Sequence, residues 1–326
     1  MVNYKYYIRG INTLRKNNIF IAGRKTTTFV APQIGVVAPQ IGVVAPPFNR
    51  SGRATFILLM MFMLFTTVAY AYEGSGSDKS GDYVDGSLML MYYDYKEDLP
   101  APYKSTESGF VPGVAYTYTY NRPEKKLFMR GSGEFSYGST KYDGTTQSGV
   151  PVISTTDNIF TNIEVNFGIK MGRNEMVAIY SGLGFHYWNR GLGGAGSYSE
   201  DYTWFYFPTG LLVNLDISDT TRVSIDACLR FMYMGRIKVN LSDLSPYFND
   251  PTGDLGNTIG IKLKAPIRFS LSDGLALLIM PWFEYSTIGK SNLFIITYGG
   301  IPISYAYEPS SNTFQYGVNL GIRYAL

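Results

Sequence analysis

The clearest pattern in the chain is an alternation of apolar and polar residues, which recurs after residue 72 in segments of roughly ten residues. In the last segment, every second residue from Phe314 to Leu326 is apolar or aromatic, and Gln315, Asn319 and Arg323 lie between them. Successive side chains of a strand point to opposite faces, so this period predicts strands with one apolar face. The ten predicted strands cover about 83–94, 110–121, 127–138, 162–170, 176–188, 204–216, 222–233, 259–269, 277–286 and 314–326.

The connections between these strands alternate between short and long. The short connections are 121–126, 171–175, 217–221 and 270–274, and the long ones are about 95–109, 139–157, 189–203, 235–257 and 289–312. This alternation is typical of membrane barrels with periplasmic turns and outer loops. The sequence therefore predicts an all-β fold: a transmembrane antiparallel up-and-down β-barrel of about ten strands, with five long outer loops and four short periplasmic turns.

A soluble β-sandwich also alternates apolar and polar residues, and it is the main alternative fold. Three features favour the barrel. An export leader precedes the strands, the apolar faces are rich in Tyr and Phe near their ends, and the short and long connections alternate strictly.

The leader consists of an apolar run over residues 54–68, with Arg50 and Arg53 before it and Ala69-Tyr70-Ala71 after it. This order matches a secretory signal peptide cleaved after Ala71. The run is shorter than the roughly 20 residues of a transmembrane helix, which is the alternative. The predicted organisation is an N-terminal extension over 1–53, a signal-peptide apolar region and cleavage site over 54–71, and a barrel over 72–326.

Residues 30–47 within the extension contain the heptapeptide VAPQIGV twice, followed by a broken third copy. Pro and Gly in each copy oppose a regular helix or central strand. The repeat is either a functional extension or a sign that the true start lies downstream and residues 1–45 are misannotated. We favour the second interpretation, and the basic segment 50–53 then begins the leader.

Charge excludes one class of partner. Residues 1–71 hold eight Lys and Arg and no acid, so 28 − 8 = 20 bases face 25 acids in residues 72–326, a net charge of −5. The basic excess lies in the leader, and no nucleic-acid binding is predicted. The single Cys228 excludes an intramolecular disulfide, and the single His186 excludes a multi-histidine metal site. We predict no metal and no cofactor.

The leader, the alternating strands and the final sequence NLGIRYAL together resemble the small bacterial outer-membrane β-barrel proteins of the broad OmpA-type or porin-like group. The resemblance covers 72–326 and is architectural. It implies a bacterial outer-membrane location, lipid as the surroundings, and the barrel-assembly machinery as a partner that recognises the C-terminal strand. Such proteins usually end on an aromatic residue, whereas this chain ends on Leu326 with Tyr324 on the same face. The external ligand is unknown.

The polar parity predicts a set of charged residues inside the barrel, with both signs present. These are Arg130, Glu134, Glu164, Lys170, Asp226, Arg230, Lys262, Lys264, Arg268, Glu284 and Arg323. Ten strands enclose a lumen only slightly wider than eight strands, whose interior side chains can fill. The charges form either an ion-paired plug, which the mixed signs favour, or the lining of a narrow channel.

Aromatic residues cluster near the outer rim at Trp188, Trp204 and Tyr206, where we expect an interfacial girdle, with an outer ligand platform as the alternative. His186 has inward parity near this rim. Some outer-membrane barrels are enzymes, such as the omptin proteases, but no Asp-x-His pair is present here. We therefore expect a packed histidine and no catalytic residue.

The predicted function is a non-enzymatic outer-membrane barrel whose exposed loops serve structure, adhesion or another surface interaction. A narrow porin-like channel for small solutes is the alternative, and an outer-membrane hydrolase is the third possibility.

Overall fold

The structure, a computed structural model, describes residues 81–122, 125–146, 148–172, 176–193 and 197–326. The predicted leader, its cleavage site and the repeat lie outside these residues. The described residues contain no helical segment with the length and hydropathy of a membrane span.

Fourteen strands follow one another along the described chain. They are β1 (Tyr83–Glu97), β2 (Ser105–Arg122), β3 (Leu127–Thr145), β4 (Pro151–Met171), β5 (Val177–Leu192), β6 (Ser199–Asp216), β7 (Thr221–Asn240), β8 (Thr252–Asp254), β9 (Ile259–Lys264), β10 (Ile267–Ser272), β11 (Leu275–Ile288), β12 (Phe294–Tyr298), β13 (Ile301–Ala306) and β14 (Ser311–Ala325).

Neighbouring strands pair antiparallel until the sheet closes on itself. β1 pairs with β14 over its whole length, from Tyr83 opposite Ala325 to Glu97 opposite Ser311. β9 and β10 act as one barrel strand, because both pair with β7 on one side and β11 on the other. Pro266 separates them, since proline has no amide hydrogen for the ladder. The result is a closed ten-stranded barrel, which confirms the predicted fold class.

The predicted parity holds through the middle of the barrel. In β7, Ile225 and Leu229 are exposed on the outside, whereas Asp226 and Cys228 are buried inside. β1 has apolar residues on both faces, so its sequence does not choose between them. The structure exposes Leu88 to 71% and buries Met89 at 6%, because Met89 packs in an apolar cluster within the lumen.

The strands extend further toward the loop end than the apolar period indicates. β3 and β4 continue as far as Thr145 and Pro151, inside a segment predicted as loop. In β7, a bulge beside Met234, whose φ is 56°, reverses the parity. Ile237 and Val239 therefore point inward and are fully buried. The outward positions beyond the bulge are polar, so a search for an apolar outer face ends too early.

The last predicted loop forms a β-hairpin from β12 and β13, here called the cap hairpin, within residues 289–310. It continues the β11–β14 ladder, because Ile288 opposes Ser311 and the Ser291 amide donates to the Glu308 carbonyl at 2.9 Å. Its inner side chains join the apolar cluster at the loop end of the lumen. They are Phe294, Ile296 and Ala306. The cap hairpin therefore covers the mouth on that side.

Candidate functional site

A network of alternating charges crosses the middle of the lumen. The Arg230 guanidinium lies 2.9 Å from a Glu164 oxygen and 2.6 Å from a Glu284 oxygen. The Lys262 ammonium lies 3.0 Å from Glu134 and 3.3 Å from Glu284. These five residues come from five strands, β7, β4, β11, β9 and β3, so the network ties opposite walls together. Each charge has partners of opposite sign, which offsets part of the cost of burial.

A second group of polar contacts lies nearer the turn end of the barrel. Asp226 lies 2.8 Å from Arg130 and 3.9 Å from Lys264, and it accepts a hydrogen bond from the Tyr180 hydroxyl. The Arg130 guanidinium also lies over the Tyr180 ring, 4.7 Å from its centroid. This arrangement fixes the charge of Asp226 between β3, β5 and β9.

The remaining predicted lumen charges lie at the turn end. Arg323 makes two hydrogen bonds to Asp85, at 2.6 and 2.8 Å. Lys170 donates to the Asn121 side chain. Arg268 lies opposite Arg222 in the ladder. Nine of the eleven predicted charges thus take part in ion pairs, and Lys170 and Arg268 are placed at the rim of the turns.

The outer mouth holds a buried cluster that the sequence did not predict. Arg190 of β5 lies 3.0 Å from Glu200 and 3.5 Å from Glu97, and its Nε donates to Glu107. Glu308, at the base of the cap hairpin, accepts a hydrogen bond from the Tyr202 hydroxyl at 2.9 Å. Every one of these charged side chains is almost completely buried. We name Glu97, Glu107, Arg190, Glu200 and Glu308 the mouth cluster.

Sequence reasoning missed the mouth cluster for a physical reason. Glu97, Glu107, Arg190 and Glu200 lie where the outer strand faces are no longer apolar, so these segments were predicted as loops. One signal was available. In β6, Glu200 has the same parity as the inward Tyr202, so continuing the alternation beyond the apolar segment would have placed it in the lumen.

The rim aromatics correct the expected girdle. Trp188 and Tyr206 are buried inside the lumen, each 2% exposed, and the ring of Trp188 stacks on that of Tyr202 at 4.4 Å. Trp204 stacks on His186 at 4.2 Å and packs against the same cluster. The even-numbered residues of β5 and β6 point inward here, and the outward positions between them hold Phe205 and Phe207. The interpretation of these three aromatics as an interfacial girdle was wrong.

Two small cavities of about 40 and 30 Å³ remain between the mid-lumen charges and these aromatics. His186, Asn162 and Arg230 line both of them. A water molecule needs about 10–15 Å³ measured in this way, so each cavity has room for a few waters. The surroundings of His186 are therefore a packed, aromatic and charged interior.

The outside of the barrel has the opposite character. Leu88, Ile163, Phe167, Leu229 and Ile322 lie on different strands, and all are exposed at or near the middle of their strands. A folded chain that buries charges and exposes a continuous apolar wall requires an apolar solvent, and only helices and closed barrels satisfy every backbone amide in hydrocarbon. This chain is a bacterial outer-membrane β-barrel protein. Its mouth cluster lies at the outer end, and its short turns lie at the periplasmic end.

Comparisons with known proteins give structural likeness only. No family model and no curated protein matches the chain. The outer membrane protease OmpT from Escherichia coli aligns at 8% identity with a TM-score of 0.49, over 78% of this chain and 99% of that one. OprG from Pseudomonas aeruginosa aligns at 12% and 0.33, over 77% and 98%. Neisserial surface protein A aligns at 12% and 0.32, over 77% and 100%. No activity follows from likeness at this level.

Among the described residues, no group of three His, Cys, Asp or Glu side chains has the arrangement of a metal site. Cys228 is buried in the lumen beside Tyr180. The chemistry that the interior offers is therefore that of ion pairs, tyrosyl hydroxyls and stacked aromatic rings.

Proposed function

We propose that the protein is a closed, non-enzymatic outer-membrane barrel that acts at the cell surface through its outer loops. The observation that carries this proposal is the filling of the lumen. The Arg230 network crosses the middle, and the mouth cluster and the inner face of the cap hairpin lie above it.

The energetics of the network support a closed lumen. A solute passing the middle layer would have to separate Arg230 from Glu164 and Glu284. Leaving a buried charge without its partner costs about 3–5 kcal/mol. Passage would also have to displace Trp188 and Tyr202, which are stacked and almost inaccessible. Both barriers favour a plug over a channel.

The same filling supports a non-enzymatic role. His186 lies below Trp188 and against Trp204, so a substrate arriving from outside would meet closed aromatic packing before it reached the imidazole. Ring stacking and apolar contact account for the environment of this histidine without catalysis.

The outermost part of the chain supports a surface-interaction role. Residues 291–307 contain no charged residue. The outer face of the cap hairpin exposes a group of large apolar side chains, which are Leu293, Ile295, Ile301, Ile303 and Tyr305. Contiguous exposed apolar surface is uncommon on a protein without a function for it.

Conductance in planar lipid bilayers tests the closed barrel. We expect the purified protein to give no stable current steps. A positive control neutralises the mid-lumen network with Ser at Glu164, Arg230 and Glu284 and shortens the cap hairpin. This variant should conduct, because it removes both barriers. Constant current steps from the unmodified protein would contradict the proposal and favour a channel for small solutes.

We also propose that the barrel-assembly machinery recognises β14. This strand closes the barrel against β1, and the side chains of Tyr324 and Leu326 lie on its outer face, where they are accessible to a partner before closure.

A further inference from the structure

The mouth cluster contains an imbalance of charge. Four carboxylates, from Glu97, Glu107, Glu200 and Glu308, surround one guanidinium, that of Arg190. If all were ionised, the cluster would carry 1 − 4 = −3 in a site where every member is at most 3% exposed. Uncompensated charge in such a site is costly, and a group usually becomes neutral instead. The closed cluster therefore favours bound protons.

The hydrogen bonds of two tyrosines lead to the same conclusion. The Tyr95 hydroxyl lies 3.4 Å from Glu97 Oε1 and 3.3 Å from Glu308 Oε1. The Tyr202 hydroxyl lies 3.0 Å from Glu200 Oε2 and 2.9 Å from the same Glu308 oxygen. A tyrosyl hydroxyl donates one hydrogen and can accept another. Both contacts of one hydroxyl are hydrogen bonds only if a carboxyl group at one of them supplies a proton.

Glu308 links this cluster mechanically to the cap hairpin. Its amide donates to Ser291 Oγ at 2.8 Å, and its carbonyl accepts from the Ser291 amide at 2.9 Å, so it forms the base of the hairpin. The hairpin side chains Phe294 and Ile296 pack in the same apolar cluster as Tyr95 and Tyr202. Displacement of the Glu308 carboxylate would therefore loosen the packing of the hairpin over the mouth.

We propose that the cap hairpin is a proton-sensitive closure, held over the mouth by protons shared between Glu308 and its neighbouring carboxylates. The titratable and charged groups that face it are Tyr95 and Glu97 of β1, Glu107 of β2, Tyr142 of β3, Arg190 of β5, Glu200 and Tyr202 of β6, and Lys290 and Tyr307 of its own segment. Arg190 is the only buried cation among them, so deprotonation adds negative charge that this group cannot neutralise.

The direction of the pH effect follows from linkage. The closed state binds more protons than a state in which the carboxylates reach water, so closure is favoured at low pH and is lost as pH rises. This inference concerns the movement of the hairpin and does not depend on the function proposed above. A loosened hairpin leaves the Arg230 network in place, so the bilayer current and the hairpin movement report on different layers.

Hydrogen–deuterium exchange of residues 289–310, measured on the folded full-length protein in lipid, tests the closure. After correction for the intrinsic pH dependence of amide exchange, protection of this segment should fall about tenfold or more between about pH 5 and about pH 9. In the Glu308→Gln variant, which keeps the shape and removes the charge, protection should stay high over the whole range. Protection in the β4–β5 ladder should not change in either protein.

The control is Asp143→Asn, which makes the same chemical change at an exposed outer residue paired with Lys104. It should keep the pH dependence of the unmodified protein. If Glu308→Gln fails to fold, Glu200→Gln tests the same shared protons beside Tyr202. The proposal is overturned if the variant that folds shows the unmodified pH profile. It is also overturned if a chelator alone releases the hairpin at low pH, because a bound cation then supplies the compensation.

Discussion

Arg230 and Glu284 approach to 2.6 Å across the lumen, although they lie 54 residues apart on β7 and β11. Glu164 of β4 contacts the other guanidinium nitrogen at 2.9 Å. One arginine thus joins three strands of the wall. This relationship makes the middle of the barrel resistant to separation of its strands.

Replacement of Arg230 should therefore be strongly destabilising. Arg230→Met leaves two buried carboxylates without their main partner, and we expect the free energy of unfolding to fall by about 3–5 kcal/mol. Urea unfolding in lipid vesicles, followed by heat-modifiable gel mobility, measures this change. Arg222→Ala removes an arginine from the exposed pair with Asp216 and should cost at most about 1 kcal/mol. Equal losses in the two variants would show that the network contributes no more than a surface ion pair.

The two faces of β7 provide a second prediction. Leu229 is 44% exposed on the outer wall and Cys228 is buried in the lumen. An arginine at mid-depth on the lipid face costs roughly 2–4 kcal/mol, so Leu229→Arg should lower stability or assembly by that amount. Cys228→Ser is a small polar change beside Asp226 and Arg230 and should be nearly neutral. Folding of both variants to the same extent would mean that Leu229 does not contact lipid.

The period of two was sufficient to predict the membrane part of the fold. Ile225 and Leu229 on one face and Asp226 and Arg230 on the other identify a strand and both of its surfaces, because lipid and lumen impose opposite chemistry on alternate residues. This held for the middle of the barrel because no other constraint acts there. The same rule gave no answer in β1, where Met89 and Leu90 are both apolar and only the tertiary packing separates them.

Above the membrane, the outer wall contacts water and its apolar period disappears, while the inner wall stays packed. Glu200 and Arg190 belong to strands there, yet they lack the outward apolar neighbours that identify a strand. The bulge at Met234 then reverses the parity of β7, so Ile237 points inward although the earlier odd-numbered residues point outward. Ion pairs such as Arg190 with Glu107, 83 residues apart, depend on closure of the barrel and cannot be predicted from local sequence.

The cap hairpin should be reachable from outside the cell. Its tip, Gly299-Gly300, has positive φ at both positions and nothing within 4 Å of either built Cβ, so a short inserted tag should be tolerated there. Protease added to intact cells should remove this tag. A tag in the periplasmic turn at 218–220 should remain intact until the outer membrane is permeabilised. The opposite pattern would mean that the two ends of the barrel are assigned to the wrong sides.

The C-terminal strand provides a test of assembly in cells. Tyr324→Ser removes the last outward aromatic of β14 and should lower the folded fraction in the outer membrane severalfold, if the assembly machinery recognises this position. Leu326→Phe, which places an aromatic at the terminus, should preserve or raise that fraction. Refolding of both purified variants into detergent separates recognition from stability. A Tyr324→Ser protein that fails equally in detergent would assign the effect to folding alone.

The orientation of the three tryptophans can be tested directly by fluorescence. Trp188, Trp204 and Trp282 are the only tryptophans in the sequence, and all three lie in the lumen, where Trp188 and Trp282 are buried and Trp204 stacks on His186. Lipids brominated along their acyl chains quench an indole that they touch. The intrinsic fluorescence of the folded protein in such vesicles should therefore stay close to its value in ordinary lipid. Phe205→Trp places a fourth indole on the outer wall next to Trp204 and should add a component that is strongly quenched. Strong quenching of the unmodified protein would restore the interfacial girdle and would remove the aromatic layer from the lumen, and with it one of the two barriers that keep the barrel closed.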